Sequence, residues 1–316
     1  MSELAAAAVH TYAPYQVISD AAALGLVETR LSSEHGHTLV RHRASRTSLR
    51  ATIFLHGAAG AWTTFTPLLQ AAAADGIQIE NPVLLDLPGW GEAAVFPGAV
   101  DLTVDSFSAF VKDTAEGLGY TEWDIVGHSL GGSIAMHMAA AYPDQVLSVG
   151  MVSGTTFSVI RSIDHPFANF RELPAFVMLW RILQLLTLLG RTGRAIVVGL
   201  GATPVARLLF APLFRHGYRV HRSVTDATVL DLHPRSFTGA ATATAGYDAH
   251  HWWGRIACPV IALKGDQDIF VTTADFDELA RVVPTSRRTV LEDCGHFGII
   301  ERPHAVLAAL GYTGQL

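Results

Sequence analysis

The stretch Asp124–Pro143, DIVGHSLGGSIAMHMAAAYP, decides the fold. The apolar run Trp123-Asp124-Ile125-Val126 leads into Gly127-His128-Ser129-Leu130-Gly131, and a small-residue helical run follows as far as Pro143. A serine in a helix interior is unremarkable. A serine at Gly-x-Ser-x-Gly, entered from a strand and left through a helix, sits on a sharp turn that lifts its hydroxyl clear of the sheet edge. The glycines imply that other backbone passes very close to this turn. A serine hydroxyl is a weak nucleophile at neutral pH, so the chain must also supply a base for its proton and a partner to fix the tautomer of that base.

Outward from this turn the pattern repeats. Ala51–Gly57 (ATIFLHG), Asn81–Ala93 (NPVLLDLPGWGEA), Val146–Gly154 (VLSVGMVSG), Cys258–Asp266 (CPVIALKGD) and Arg287–Gly295 (RRTVLEDCG) each read as a short apolar strand running into a loop. Helical stretches separate them, among them Thr103–Gly119, where Phe107, Phe110, Val111 and Leu118 share one face. Two further strands around a turn at His35-Gly36 precede the first of these. The alternation predicts an α/β fold, a mostly parallel central sheet flanked by helices. Such sheets place their working residues at the carboxyl ends of the strands. There stand His56-Gly57, Asp86, Ser129, Asp266, Asp268, Cys294 and His296.

His296 follows a strand and a glycine, which makes it the candidate base. Asp266 and Asp268, two residues apart on one loop, compete as its acid partner. The chain order Ser, Asp, His fits a nucleophile turn of this kind. A tetrahedral intermediate also needs fixed N–H donors. The backbone N–H groups of Ala58, in Leu55–Trp62 (LHGAAGAW), and of Leu130 at the start of a helix are the candidates. Asp86 is read as a structural acceptor for backbone. Trp90 has two readings, a pocket wall or a packed loop aromatic.

With 316 residues and 50% hydrophobic content, the chain can bury a large core, expected as one main domain with a sizeable insertion. A net charge of −6 and the lack of a long basic run argue against nucleic acid as a partner. Residues 1–16 have an alanine run but no basic segment and no long apolar segment, so no secretory signal and a cytoplasmic protein are expected. Two cysteines, Cys258 and Cys294, without C-x-x-C spacing support neither zinc nor a disulfide framework. They should be free thiols, at opposite edges of neighbouring parallel strands. The fifteen histidines show no metal-ligand spacing, so no metal is expected.

Together these residues resemble the α/β-hydrolase superfamily. His56-Gly57-Ala58-Ala59-Gly60 is similar to its oxyanion loop, and Asp86-Leu87-Pro88-Gly89-Trp90-Gly91 to its D-x-P/R-G-x-G loop. Gly127–Gly132 resembles its nucleophile elbow, Gly265–Asp268 its G-x-x-D acid turn, and Gly295-His296 with Glu301-Arg302-Pro303 its closing signature. The resemblance implies Ser129, Asp268 and His296 as a catalytic triad and favours Asp268 over Asp266. It places a helical cap at residues 154–247, between core parts 1–153 and 248–316. Its haloalkane dehalogenases and epoxide hydrolases carry Asp where this chain has Ser129, which disfavours those activities.

The cap segment Leu173–Gly190 (LPAFVMLWRILQLLTLLG) is too interrupted by Arg181 and its following arginines for a transmembrane span. It reads either as a buried packing helix or as an apolar roof over substrate, with Leu185 and Leu186 as the candidate lining. The implied activity is a serine hydrolase acting on the carboxylic ester of a hydrophobic small molecule, without a cofactor. Alternatives are C–C bond, lactone or amide hydrolysis by the same triad, and a ligand-binding protein that keeps the fold without catalysis. The sequence assigns no oligomeric state.

Overall fold

The computed structural model describes residues 11–93, 102–201 and 203–313. The N-terminal alanine run lies outside them. Eight strands form one sheet: β1 (Val27–Ser33), β2 (Gly36–His42), β3 (Arg50–Leu55), β4 (Pro82–Leu85), β5 (Glu122–His128), β6 (Val146–Val152), β7 (Val260–Gly265) and β8 (Arg287–Leu291). Their order is β1-β2-β4-β3-β5-β6-β7-β8. The pairs β1/β2 and β2/β4 are antiparallel, and every pair from β4/β3 to β7/β8 is parallel. The expected turn at His35-Gly36 is one residue early in fact, since Gly36 already opens β2.

Helices α1 (Thr66–Ala74), α2 (Val104–Gly117) and α3 (Leu130–Ala141) connect the parallel strands. Successive strand residues point to opposite faces. Ile53, Leu55 and Ile125 therefore join Phe107, Phe110 and Ile134 of α2 and α3 on one side. Phe54 and Val126 join Leu68 and Ala71 of α1 on the other. Thr103 caps α2 by accepting from Ser106 N at 3.0 Å, and Ser106 Oγ accepts from Thr103 N at 2.8 Å. α3 ends before Pro143, as a proline demands of the residues ahead of it.

Between β6 and β7 come α4 (Phe157–Asp164), α5 (Pro174–Leu188), α6 (Arg191–Gly201), α7 (Pro204–Phe210), α8 (Arg222–Asp231), α9 (Pro234–Ala243) and α10 (Ala249–Trp253). Those from α4 to α9 bury a cluster of their own, including Val159, Phe176, Trp180, Leu183, Val229 and Phe237. After β7 the chain adds α11 (Thr273–Val282), α12 (Gly298–Glu301) and α13 (Pro303–Ala309). Asp275 at the start of α11 is fully buried and ties the insertion down. It accepts from Thr272 N at 2.8 Å, completing a capping box, and also from Ser158 N at 2.8 Å and Ser158 Oγ at 2.6 Å. Cys258 precedes β7, Cys294 follows β8, and both are free thiols.

A second contact between insertion and core depends on pH. Asp231, the last residue of α8, lies in a crevice with Ala59, Thr63 and Thr64 of the core. Burial pushes its carboxyl up to about 7, the charge of Asp86 adds to the rise, and Arg194 opposes it. The fold therefore favours the protonated acid. Its stabilising contribution is complete below the ordinary carboxylate range and is lost as pH rises through about 7. Asp231→Asn should remove this loss and raise stability at about pH 8 by on the order of 3 kcal/mol. Urea unfolding of both proteins from about pH 5 to pH 8 checks it; parallel pH profiles would show that Asp231 is not the titrating group.

Candidate active site

Ser129 stands between the last residue of β5 and the first of α3 with φ 53° and ψ −119°, a conformation that costs a non-glycine residue about 1–3 kcal/mol. Its surroundings hold it there. Ser129 N donates to the Val152 carbonyl at 3.1 Å, and its own carbonyl accepts from Gly132 N at 2.9 Å and Thr155 N at 3.0 Å. The two motif glycines are sites of close approach. A Cβ on Gly127 would lie 2.2 Å from the Gly131 carbonyl oxygen, and one on Gly131 would lie 2.0 Å from the Leu55 carbonyl oxygen. The helix start thus rests directly on the end of β3.

The loop after β7 brings Asp268 to His296. Oδ1 and Oδ2 of Asp268 stand 3.0 and 3.2 Å from His296 Nδ1. The Asp268 side chain is wholly buried, and Oδ1 also accepts from Phe270 N at 2.9 Å. Burial alone would raise its pKa. The His296 charge and the hydrogen bonds from His296 and Phe270 N outweigh burial and hold the carboxyl below its ordinary value. A carboxylate at Nδ1 fixes the proton there and leaves Nε2 with its lone pair. Asp266 is used differently: its Oδ1 accepts from Cys294 N at 2.9 Å and so shapes the histidine loop.

Two further residues hold His296, and sequence reasoning gave neither a role. Glu301 is fully buried at the end of α12. Its carboxylate accepts from Gly295 N at 2.9 Å and Phe297 N at 3.0 Å, the residues on either side of His296. It also accepts from Arg215 N at 2.8 Å and Tyr12 Oη at 2.7 Å. Burial pushes its pKa up against these donors. His128, inside the Gly-x-Ser-x-Gly motif, stands with its Nε2 3.0 Å from the His296 carbonyl, to which it donates. Burial first, and the His296 charge second, push its pKa down to about 3, so it is a neutral brace. The sequence signal for Glu301 was available: an acid directly after the apolar run Phe297–Ile300 has to find partners where it is buried.

Ser129, His296, Ala58 and Leu130 all line one cavity at the carboxyl ends of the strands. As the first residue of α3, Leu130 has an N–H without an intrahelical acceptor. Trp90 does not wall this cavity. It is completely buried behind the loop, where Nε1 donates to the Ala58 carbonyl at 3.0 Å. His56 Nδ1 donates to the Gly57 carbonyl at 2.8 Å and its Nε2 accepts from Leu87 N at 2.9 Å, so both loop carbonyls are tied back. Asp86 accepts from Trp62 N at 2.9 Å and pairs with Arg41 at 2.9 Å, the structural role its position suggested.

The inserted helices complete the cavity with Val159, Phe176, Leu179, Phe210, Leu232 and Phe237. Leu185 and Leu186 do not line it. Leu185 is 64% exposed, and Leu186 packs against the cluster inside the insertion. The reason is helical phase: the inward face of α5 runs through Phe176, Leu179 and Leu183, and Leu185 falls on the far side. Among the described residues the cavity lining contains neither arginine nor lysine.

Glu301→Ala would leave buried Gly295, Phe297 and Arg215 N–H groups without their acceptor, at about 1–3 kcal/mol each. Unfolding stability should fall by about 3 kcal/mol or more, with turnover reduced at temperatures where the protein stays folded. A loss in urea-unfolding free energy below about 1 kcal/mol would show that the loop keeps its shape without this carboxylate.

Comparison with known proteins bears on the family and the fold. Residues 52–310 match the model of the alpha/beta hydrolase family. The chain is 23% identical over 227 residues to monoacylglycerol lipase ABHD6 of Bos taurus, covering 70% of this chain and 63% of that protein, so it spans less than two thirds of that relative. It is 25% identical over 266 residues to the 2-hydroxy-6-oxononadienedioate/2-hydroxy-6-oxononatrienedioate hydrolase of Burkholderia vietnamiensis, covering 82% of this chain and 84% of that one. Among solved structures, carboxylesterase CesB from Bacillus subtilis superposes with a TM-score of 0.68 at 17% identity, covering 92% of this chain and 94% of that one. By the family match over most of its length, the chain belongs to the alpha/beta hydrolase family.

Proposed function

We propose that this hydrolase cleaves the carboxylic ester of a hydrophobic small molecule through an acyl-enzyme at Ser129, with residues 154–247 as a cap domain. The observation that carries the reading is the buried Asp268–His296 pair at 3.0 Å, in a cavity that Ser129 also lines. Ser129 Oγ attacks the ester carbonyl while its proton passes to His296 Nε2. Asp268 orients the ring and balances the imidazolium. The N–H groups of Ala58 and Leu130 receive the oxyanion. His296 then protonates the departing alkoxide, and water, activated by the same histidine, releases the acid. These steps require no cofactor.

The apolar lining supports a hydrophobic substrate. The Burkholderia relative is named for a substrate with two carboxylates. A cavity lined by neither arginine nor lysine among the described residues offers such a dianion no counter-charge, which favours the ester over C–C cleavage of that kind. Covalent labelling by a fluorophosphonate separates a working serine hydrolase from a ligand-binding protein of the same fold.

Ser129→Ala and His296→Ala should each lower kcat by roughly four or more orders of magnitude. Asp268→Asn should cost roughly three to four orders, because the amide favours the wrong tautomer of His296. Asp266→Asn keeps an oxygen for Cys294 N and should change kcat by no more than a few-fold. A reversed order of the two aspartates in ester hydrolysis would move the acid to Asp266.

Each acyl methylene buried against Phe176 and Leu179 should add about 0.8 kcal/mol, close to fourfold in affinity, so kcat/KM should climb from acetyl to hexanoyl esters. Leu179→Asn should flatten that climb, and Leu185→Asn should leave it unchanged. A flat wild-type profile would show that the cap helix packs without touching substrate.

A further inference from the structure

Helix α5 has two apolar faces. Phe176, Val177, Trp180 and Leu183 are buried, while Met178, Ile182, Leu185 and Leu189 recur at steps of four, three and four and face solvent. The outer stripe is 55, 51, 64 and 53% exposed, and the neighbouring Leu188 is 83% exposed. α6 packs against α5 and α7 against α6, and both continue the surface with Ile196, Val198, Leu200, Leu208 and Leu209. Phe167, 90% exposed, borders a groove shared with Met178 and Ile182. A surface of this extent is rare on a monomer that keeps only to water.

The charge of this region is as unusual. From Leu173 to Thr225 the charged residues are seven arginines: Arg181, Arg191, Arg194, Arg207, Arg215, Arg219 and Arg222. Residues 154–247 hold ten arginines against four acids, a net of +6. The rest of the chain holds twelve bases against twenty-four acids, a net of −12, which together give the −6 of the whole. Arg207 spends its hydrogen bonds on the Tyr218 and Val220 carbonyls, while Arg194 bonds the carbonyls of Val229, Leu230 and Leu232 and also feels the Asp231 carboxyl. Arg181 lies over the Phe167 and Trp180 rings at 5.5 and 5.0 Å.

An occupant must satisfy both features. A second copy of this cap would match the leucines but bring a like charge of +6 against +6. A bilayer with anionic headgroups matches both, apolar side chains at the acyl boundary and arginines at the headgroup level. We propose that the outer face of α5, α6 and α7 docks the protein onto an anionic lipid surface. α5 is a surface element there and does not span, since at 15 residues it is too short to cross a bilayer. The proposal rests on the surface alone and holds whatever bond Ser129 cleaves.

The test is co-sedimentation of the full chain with phosphatidylcholine vesicles, with and without phosphatidylglycerol. Wild type should partition at least about tenfold more strongly onto the anionic vesicles, and added salt should weaken that binding. The triple variant Leu185→Asp, Leu188→Asp, Leu208→Asp should lose about tenfold or more in partition while hydrolysing a short soluble ester at the wild-type rate. Arg181→Gln and Arg191→Gln keep the leucines and should each reduce the preference for anionic over neutral vesicles by about fivefold. Absent binding to anionic vesicles, equal binding of wild type and the triple variant, or a wild-type dimer that the triple variant abolishes would overturn the proposal. The last outcome would assign the face to self-association.

Discussion

The start of α3 lies on the carboxyl end of β3 at a distance that leaves no room for a Cβ at Gly131, 2.0 Å from the Leu55 carbonyl oxygen. That contact fixes where the chain turns after β5, and so forces Ser129 into its left-handed conformation. The same contact sets Leu130 N–H and the Ala58 loop side by side at the cavity. Everything the site can do with a carbonyl group depends on this backbone approach. The strain at Ser129 is held by bonds to Val152, Gly132 and Thr155, from the neighbouring strand and the two connections beside it.

Carboxylates do the remaining work of assembly, each with a different load. Asp268 meets the histidine ring. Asp266 and Glu301 shape the loop that carries the ring, through Cys294, Gly295 and Phe297. Asp275 and Glu301 also reach into the insertion, at Ser158 and Arg215. The insertion and the histidine loop thus share one acceptor, Glu301. A displacement of the segment around Arg215 would be felt at His296, whose own N–H donates to the Leu213 carbonyl at 2.9 Å. The geometry couples the roof of the cavity to its base.

The charge separation between cap and core adds a second level of organisation. An acidic body carries a basic, leucine-rich cover, and the inner face of that cover lines the cavity through Phe176 and Leu179 while its outer face presents Leu185 and Leu189. One helix therefore carries two apolar faces, one covered inside the insertion and one exposed, which accounts for its nearly continuous hydrophobic sequence.

The order of strands and helices, the elbow at Ser129 and the residue types at the strand ends were legible in the sequence because they rest on local chemistry. Periodicity, glycine spacing and the position of Pro143 act within a few residues. Tertiary structure decided what depends on contacts between distant segments. Asp266 and Asp268 share a loop and a side-chain type, and only the approach of the chain at residues 294–296 sends one to backbone and the other to imidazole. Trp90 supports the Ala58 loop instead of walling the cavity because its indole N–H meets a carbonyl 32 residues away. Leu185 and Leu186 looked like cavity lining because α5 is apolar on both sides. A hydrophobic pattern reports that a face avoids water, and the packing of neighbouring helices decides which face is covered.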